Sequence, residues 1–396
     1  MQTRPISHVA RLAATLVLVF LARTASAQQT VSEVLEFLVT NQSVATGSVE
    51  RDEAAAAATS ATISRALLIN LATIPIPSTS GAFAYRLNPT LGTMERSTQS
   101  FGPVLLDRAL TSGAGTIDVG LTFQHLHYTA LDGRNLRNGS LVTTANQFTD
   151  EAQPFDVDTL TLKIDADIAT LYANAGIGSR VDIGAAVPVV ALRVDGSRVN
   201  TYRGREFTQA AASANAIGVA DVLVRGKATV FEQDGASVAA AVDLRLPTGR
   251  QADLLGAGRT SVRFLALGSL EGTRVAAHAN AGVSVGGLAD EISYGAGLAA
   301  AAGNRITFTA EAIGRWSDTP GDIQTVAQPH PTLAGVRTIR LLPGTSRLQT
   351  LLLAPGLKWN LSDTWVLAAN VGVPLLKGGL RAPLLPFVSL DYSIVR

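Results

Sequence analysis

Cysteine is absent from the chain, which excludes disulfides, thiolate metal sites and a lipid-modified cysteine. A protein that crosses an oxidising compartment loses nothing by this absence. An excess of one charge sign is also missing. The formal net charge is +1, so there is no electrostatic footprint for nucleic acid. Charged residues make up 16% and aromatics 5%, against 47% hydrophobic residues, an oily balance for a soluble domain. A helical membrane protein would need several apolar runs of about twenty residues. One short run exists, at the extreme N-terminus. The apolar residues are therefore dispersed, and their spacing decides the fold.

The N-terminal run reads as a secretion signal. Arg4 and Arg11 form a basic region, Leu12 to Ala22 an apolar stretch, and Ala25-Ser26-Ala27 offers small residues to a signal peptidase. Cleavage is expected after Ala27, leaving residues 1–27 as the signal peptide. Its removal takes three arginines and no acids.

Between residues 28 and 115 the pattern is irregular. Val31 to Thr40 carries Val31, Val34, Leu35 and Leu38 at helical spacing. Asp52 to Ala72 is alanine-rich and helical until Pro75 and Pro77. Residues 78–112 are rich in Ser, Gly, Pro and Thr, with a short apolar helix predicted at Val104 to Leu110.

From Thr116 the period becomes two. In Ser237 to Leu246, Val238, Ala240, Val242, Leu244 and Leu246 share one face, while Ser237, Ala239, Ala241, Asp243 and Arg245 share the other. Successive side chains of a strand point to opposite faces, so this split is what a strand gives. The same reading predicts strands at Thr116–Tyr128, Val157–Ala173, Arg180–Arg193, Ile217–Val230, Thr260–Leu270, Thr273–Val285, Glu291–Ala301, Arg305–Trp316, Leu348–Trp359, Asp363–Val373 and Phe387–Arg396, about twelve in all. Each is long enough to cross a bilayer when tilted. Tyr172, Trp316, Trp359, Trp365 and Tyr392 fall toward strand ends, where interfacial girdles stand. Connections alternate in length: 129–156, 194–216 and 317–347 are long, while those between, such as 174–179, Glu271-Gly272 and Gly303-Asn304, are short. Outer-membrane barrels have short periplasmic turns and long outer loops. The expected fold is all-β, a transmembrane antiparallel up-and-down barrel over 116–396. Residues 28–115 would be an N-terminal, partly helical segment that either plugs the barrel or docks beneath it in the periplasm. A soluble sandwich would instead bury the aliphatic faces.

With aliphatic faces toward lipid, the inward faces collect Lys163, Asp165, Asp167, Asp182, Asp221, Arg225, Lys227, Asp243, Arg245, Arg263, Arg274, His278, Glu311, Arg315 and Lys358. Centring the hairpin turn at Asp234 sets Arg225 opposite Asp243. A slip of two residues sets Asp221 opposite Arg245. Either register pairs opposite charges. Such a ladder either lines a permeation path or simply fills a narrow lumen with ion pairs.

Motifs for catalysis are thin, and no catalytic residue, metal or cofactor is assigned. Gly282-Val283-Ser284-Val285-Gly286 matches the G-x-S-x-G nucleophile pattern but lacks the strand-to-helix turn that pattern needs. His125 and His127 share one strand face, a possible metal pair without a third ligand, and read as polar residues at the outer rim. Gly256-Ala257-Gly258 lies in a loop, not in a phosphate-binding setting.

Ile217 to Gly287 carries Gly218-Val219-Ala220-Asp221-Val222-Leu223-Val224, then Lys227 to Phe231 (KATVF), Leu244 to Arg250 (LRLPTGR) and Leu254-Leu255-Gly256-Ala257-Gly258. Together these resemble the outer-membrane transporters of the meta-pathway phenol-degradation family, over about seventy residues. Ser100-Phe101-Gly102-Pro103 and Arg108-Ala109-Leu110 look like the entry segment of related barrels. The resemblance implies a channel analogous to those for long-chain fatty acids and aromatic hydrocarbons, with an N-terminal hatch. It carries over no ligand residue.

The expectation is thus a protein of the bacterial outer membrane that passes small hydrophobic or aromatic compounds by passive diffusion. Its partners would be outer-membrane lipid, the barrel-insertion machinery and a small-molecule solute, with no nucleic acid. The alternatives are a structural or adhesive barrel without transport and, more remotely, an outer-membrane phospholipase-like enzyme.

Overall fold

The computed structural model describes residues 29–40, 52–72, 85–88, 93–96, 100–362 and 364–395. The expected signal peptide lies outside the described residues.

Twelve antiparallel strands form the barrel: β1 (Thr116–Tyr128), β2 (Asp156–Gly176), β3 (Val181–Tyr202), β4 (Arg205–Val219 and Val222–Gln233, bent at Ala220-Asp221), β5 (Ala236–Leu246), β6 (Ser261–Glu271), β7 (Val275–Gly286), β8 (Glu291–Ala302), β9 (Ile306–Pro320), β10 (Arg347–Ser362), β11 (Trp365–Pro374) and β12 (Leu385–Val395). Each pairs with its neighbours in sequence. The last returns to the first, with Phe387 opposite Gln124 and Val395 opposite Thr116. Closure leaves the lipid-facing part of the wall without an open edge, which a spanning sheet requires.

The alternation seen in the sequence is realised with the aliphatic side outward. In β5, Ser237, Ala239, Ala241 and Asp243 are buried while Val238, Val242 and Leu244 are exposed. Val224, Phe264, Val283, Leu298, Phe308, Leu357 and Val388 continue an exposed apolar belt around the wall. Water would penalise such a belt and hydrocarbon would not. A sandwich would have covered it. Trp316 and Trp359 are exposed at opposite ends of the β9–β10 pair, and Trp365 stacks on Tyr392 with ring centroids 4.6 Å apart. Tyr172 departs from the expected girdle. It is buried on the inner face, where its ring covers Gly120 and occupies the place a Cβ would take.

One end has tight turns. Asp234-Gly235 takes φ of 49° and 84°, both left-handed, the geometry of a two-residue hairpin turn that Asp-Gly favours. Thr116 and Val395 lie at this same end, opposite each other across the closing pair, which makes it the periplasmic side. The other end extends well beyond the belt. The segment 194–216, expected as a long loop, is strand: β3 and β4 stay paired to Tyr202 opposite Arg205. Parts of the 129–156 and 317–347 connections also pair, as Leu141–Phe148, Ile323–Pro329 and Val336–Pro343, extending the sheet from β2. These strands stand clear of lipid. They need no aliphatic outer face, so the signature used to find the other strands is missing.

Two helices line the inside of this outer extension. Helix α1 (Val31–Thr40) begins with a reciprocal cap: Glu33 N–H donates to the Thr30 hydroxyl at 3.2 Å, and Thr30 N–H donates to the Glu33 carboxylate at 2.8 Å. Its Val31, Val34, Leu35 and Leu38 join Leu160, Leu162, Ile164, Leu192 and Val194 of β2 and β3 in the main apolar core. Helix α2 (Glu53–Ala72) opens with Asp52 accepting from Ala55 N–H at 2.9 Å. It docks on the added sheet, where Thr59 hydrogen-bonds Thr143 and Leu341, and Asp52 pairs with Arg340.

Candidate functional site

Within the belt the lumen holds a chain segment. Residues 100–115 run through it without helix or strand. The helix expected at Val104–Leu110 does not form, because its backbone groups bond to the wall instead of to each other. Glu311 of β9 accepts three successive N–H groups, from Val104 (2.7 Å), Leu105 (2.9 Å) and Leu106 (2.7 Å). Lys358 of β10 donates to the carbonyls of Phe101 and Pro103. Lys227 donates to the carbonyls of Arg108 and Leu110, and also pairs with Asp182. Ala109 is held from both sides, its carbonyl by Thr229 and its N–H by Ser269, whose hydroxyl also meets His278 Nδ1 at 2.9 Å. Ser112 N–H donates to Asp182, and its hydroxyl to Asp118. Buried charges in such a place need partners, and here the threaded backbone supplies many of them.

Arg225 joins segment and wall. It donates to Asp243 through Nε (2.5 Å) and a terminal nitrogen (2.7 Å), and to Asp107 at 2.7 Å. The register that sets Arg225 opposite Asp243 is thus the one formed. It needs one irregularity in β4 between Thr229 and Phe231, which offsets the pairing set by the tight turn. Asp221 does not stand opposite Arg245, which faces Leu223 across the pair. It accepts from the N–H groups of Gly249 and Ala257 and so clamps the connection between β5 and β6.

Above the segment lies a cavity of about 280 Å³ whose floor includes Leu105, Leu106 and Asp107. Of the residues expected to face inward, Arg225, Asp243, Arg245, Arg263 and Arg315 line it. Asp182, Lys227, His278, Glu311 and Lys358 face inward below it, against the segment or its contacts. Lys163, Asp165 and Asp167 correct the expectation: they lie on the outer face of β2. Asp167 meets His125 (2.6 Å) and Arg193 (2.6 Å), and Asp165 meets His127 (2.6 Å) and Arg137 (3.0 Å). On β1 these histidines follow the exposed Leu121 and Phe123, so the belt ends between Phe123 and His125. Arg274 is a second correction, being exposed in the periplasmic turn before β7. Inward-facing Asp118 and Asp391 share the parity of Thr122 and Ser389, a signal present in the sequence and not used.

Ser284 lies on the inner face of β7, opposite Arg263 and Glu291, and no helix follows, since β7 turns at Gly286-Gly287 into β8. His125 and His127 are on the outer face of the wall. Among the described residues no group of three metal-ligating side chains occurs.

No protein-family model matches the chain, and the search of curated proteins finds no match. The resemblance to the phenol-degradation transporters therefore rests on the quoted motifs. Among solved structures, an outer-membrane channel from Pseudomonas putida F1 matches with a TM-score of 0.50 at 14% identity, over 73% of this chain and 100% of the other. The KdgM porin gives 0.36 at 10% identity, over 70% and 99%. The NanC porin gives 0.35 at 8% identity, over 71% and 99%. At 14% identity the likeness to the Pseudomonas putida protein is one of fold. Together with the lipid-facing belt it identifies a closed β-barrel of the bacterial outer membrane.

Proposed function

We propose that this protein is a passive outer-membrane channel for small hydrophobic or aromatic compounds, occluded at rest by residues 28–115. The observation that carries this reading is the cavity above the threaded segment. Its floor is not barrel wall but a stretch of chain held by hydrogen bonds and ion pairs that can open one at a time. A solute from outside would collect among the leucines over Leu105 and Leu106 and pass when the segment yields. The resemblance to the phenol-degradation transporters agrees with an aromatic solute.

The test is conductance in planar bilayers and solute uptake into liposomes, for the full chain and for a variant lacking residues 28–110. Uptake by the full chain, and larger conductance after the deletion, are expected. If neither preparation exceeds a barrel-free control, the channel reading fails.

A second reading, an adhesive barrel without transport, draws on the β3–β4 hairpin that stands far above the belt. Removing its tip around Arg203-Gly204 would then abolish partner binding and leave permeability untouched.

A further inference from the structure

Among the described residues the lining of the cavity carries more positive than negative charge: five guanidinium groups, from Arg225, Arg245, Arg263, Arg315 and Arg381, against three carboxylates, from Asp107, Asp243 and Glu291. Asp221 lies just behind the lining, committed to two backbone N–H groups. Counting it still leaves positive charge in excess among the described residues. The carboxylates present are shared. Asp243 accepts from both Arg225 and Arg263. Glu291 meets Arg315 at a loose 3.5 Å and also accepts from the Ser317 hydroxyl at 3.1 Å.

Arg381 enters from a different element. It sits on the two-residue strand Leu380–Arg381, in the connection between β11 and β12, which pairs with Ala130–Leu131 after β1. Its Nε is buried and has no acceptor among the described residues. A buried donor of this kind is costly unless something accepts from it. Another part of the lining is apolar: Leu126, Tyr128, Leu352, Leu380 and Leu385. Positive charge and hydrocarbon thus share one confined space, whose low-dielectric walls concentrate the field.

We infer that this vestibule binds small organic acids that join one carboxylate to an apolar body. The guanidinium fork matches a carboxylate in geometry and charge, and the leucine and tyrosine wall takes the rest of the molecule. For transport, the inference rests on the channel reading and narrows its solutes from apolar compounds in general to amphipathic carboxylates. Binding itself does not depend on passage.

Three probes separate the contributions: benzoate, its neutral counterpart benzamide, and acetate, which keeps the charge without the body. Titration calorimetry on the full chain in detergent is expected to show benzoate binding on the order of tenfold tighter than either of the others. Arg381→Gln and Arg245→Gln should each lower benzoate affinity by a similar factor and leave benzamide unchanged. Arg381→Lys should restore part of the loss. Heat-dependent gel migration checks that each variant is folded. Should Arg381→Gln not fold, Arg245→Gln and the wild-type comparison of probes still decide. Benzamide binding as tightly as benzoate, or benzoate affinity indifferent to both substitutions, overturns the inference. Liposome uptake of the same probes is scored separately. Failure of all three to enter, with benzoate still bound selectively, refutes the channel and spares the binding site. Equal binding and equal entry of benzoate and benzamide does the reverse.

Discussion

Arg225 faces Asp243 across the β4–β5 pair and holds it by two hydrogen bonds, while the remaining terminal nitrogen of the same guanidinium reaches Asp107 in the threaded segment. Wall and segment are therefore locked by one side chain. Arg225 and Asp243 side chains are 5% and 2% exposed, so removing either leaves a charge with little access to water. Arg225→Ala should destabilise the protein by about 3–5 kcal/mol. Replacing both partners together with apolar residues of similar size should cost less than the two single changes added. Urea titrations followed by heat-dependent gel migration would measure this. Additive losses would argue against the coupling.

Glu311 is expected to govern the segment rather than the barrel. Glu311→Gln takes the charge from a group that accepts three successive backbone N–H bonds. Hydrogen bonds to charged groups contribute about 1.5–3 kcal/mol each. A loss of about 2 kcal/mol corresponds to roughly 30-fold faster opening. Hydrogen exchange should quicken at Val104, Leu105 and Leu106 and stay unchanged in the β5–β8 ladders. Bilayer conductance should rise in parallel. Unaltered exchange at these three amides would show that other bonds hold the segment.

Two glycines should respond in opposite ways. A Cβ at Gly176 would lie 1.9 Å from the Gly113 carbonyl oxygen, whereas one at Gly226 would meet nothing within 4 Å. Backbone cannot give way as a flexible side chain can. Gly176→Ala should therefore lower the yield of folded barrel and free the start of β1 from the segment, while Gly226→Ala is neutral. Equal folding of the two variants would contradict the close passage of Gly113.

The edge of the belt can be placed by charge insertion. Val242 lies on the outer face near the middle of β5 and is 44% exposed. Val242→Arg should cost about 2–4 kcal/mol, as expected near the bilayer midplane, and His125→Arg about 0–1 kcal/mol, as expected at or beyond the interface. Reversible unfolding in lipid vesicles gives both values. A costly His125→Arg would move the hydrocarbon boundary outward past that residue.

How much of this was legible depends on what side-chain alternation can say. The faces of the hairpin carrying Arg225 and Asp243 could be read from period two, but its register stayed open between Arg225 opposite Asp243 and Asp221 opposite Arg245, and the irregularity between Thr229 and Phe231 that decides it leaves no mark in the alternation. Alternation does not say which face meets lipid. In β2 the aliphatic face, Leu160 to Ile168, resembles every lipid-facing face in the chain, yet it is covered by α1. Lys163, Asp165 and Asp167 thus point outward, above the membrane, and the expected inward placement fails there. The stretch from Val104 to Leu110 has the composition of a helix. It forms no helix because Glu311, some two hundred residues later, captures its N–H groups, and no local pattern carries that contact. Arg381 was missed for a similar reason: a two-residue strand inside a connection has no period to read.

The route of the chain also limits how the molecule can be made. Residues 100–115 occupy the barrel interior, while the two helices preceding them line its outer extension. A helix as long as α2, together with its neighbour, does not slip through a lumen already filled by a single pass of peptide. On this route the seam between β12 and β1 would be the last to zip, with the amino-terminal portion already laid across the opening. Biogenesis would depend on timing: a variant that pairs its first and last strands early would strand its own helices on the wrong side of the membrane.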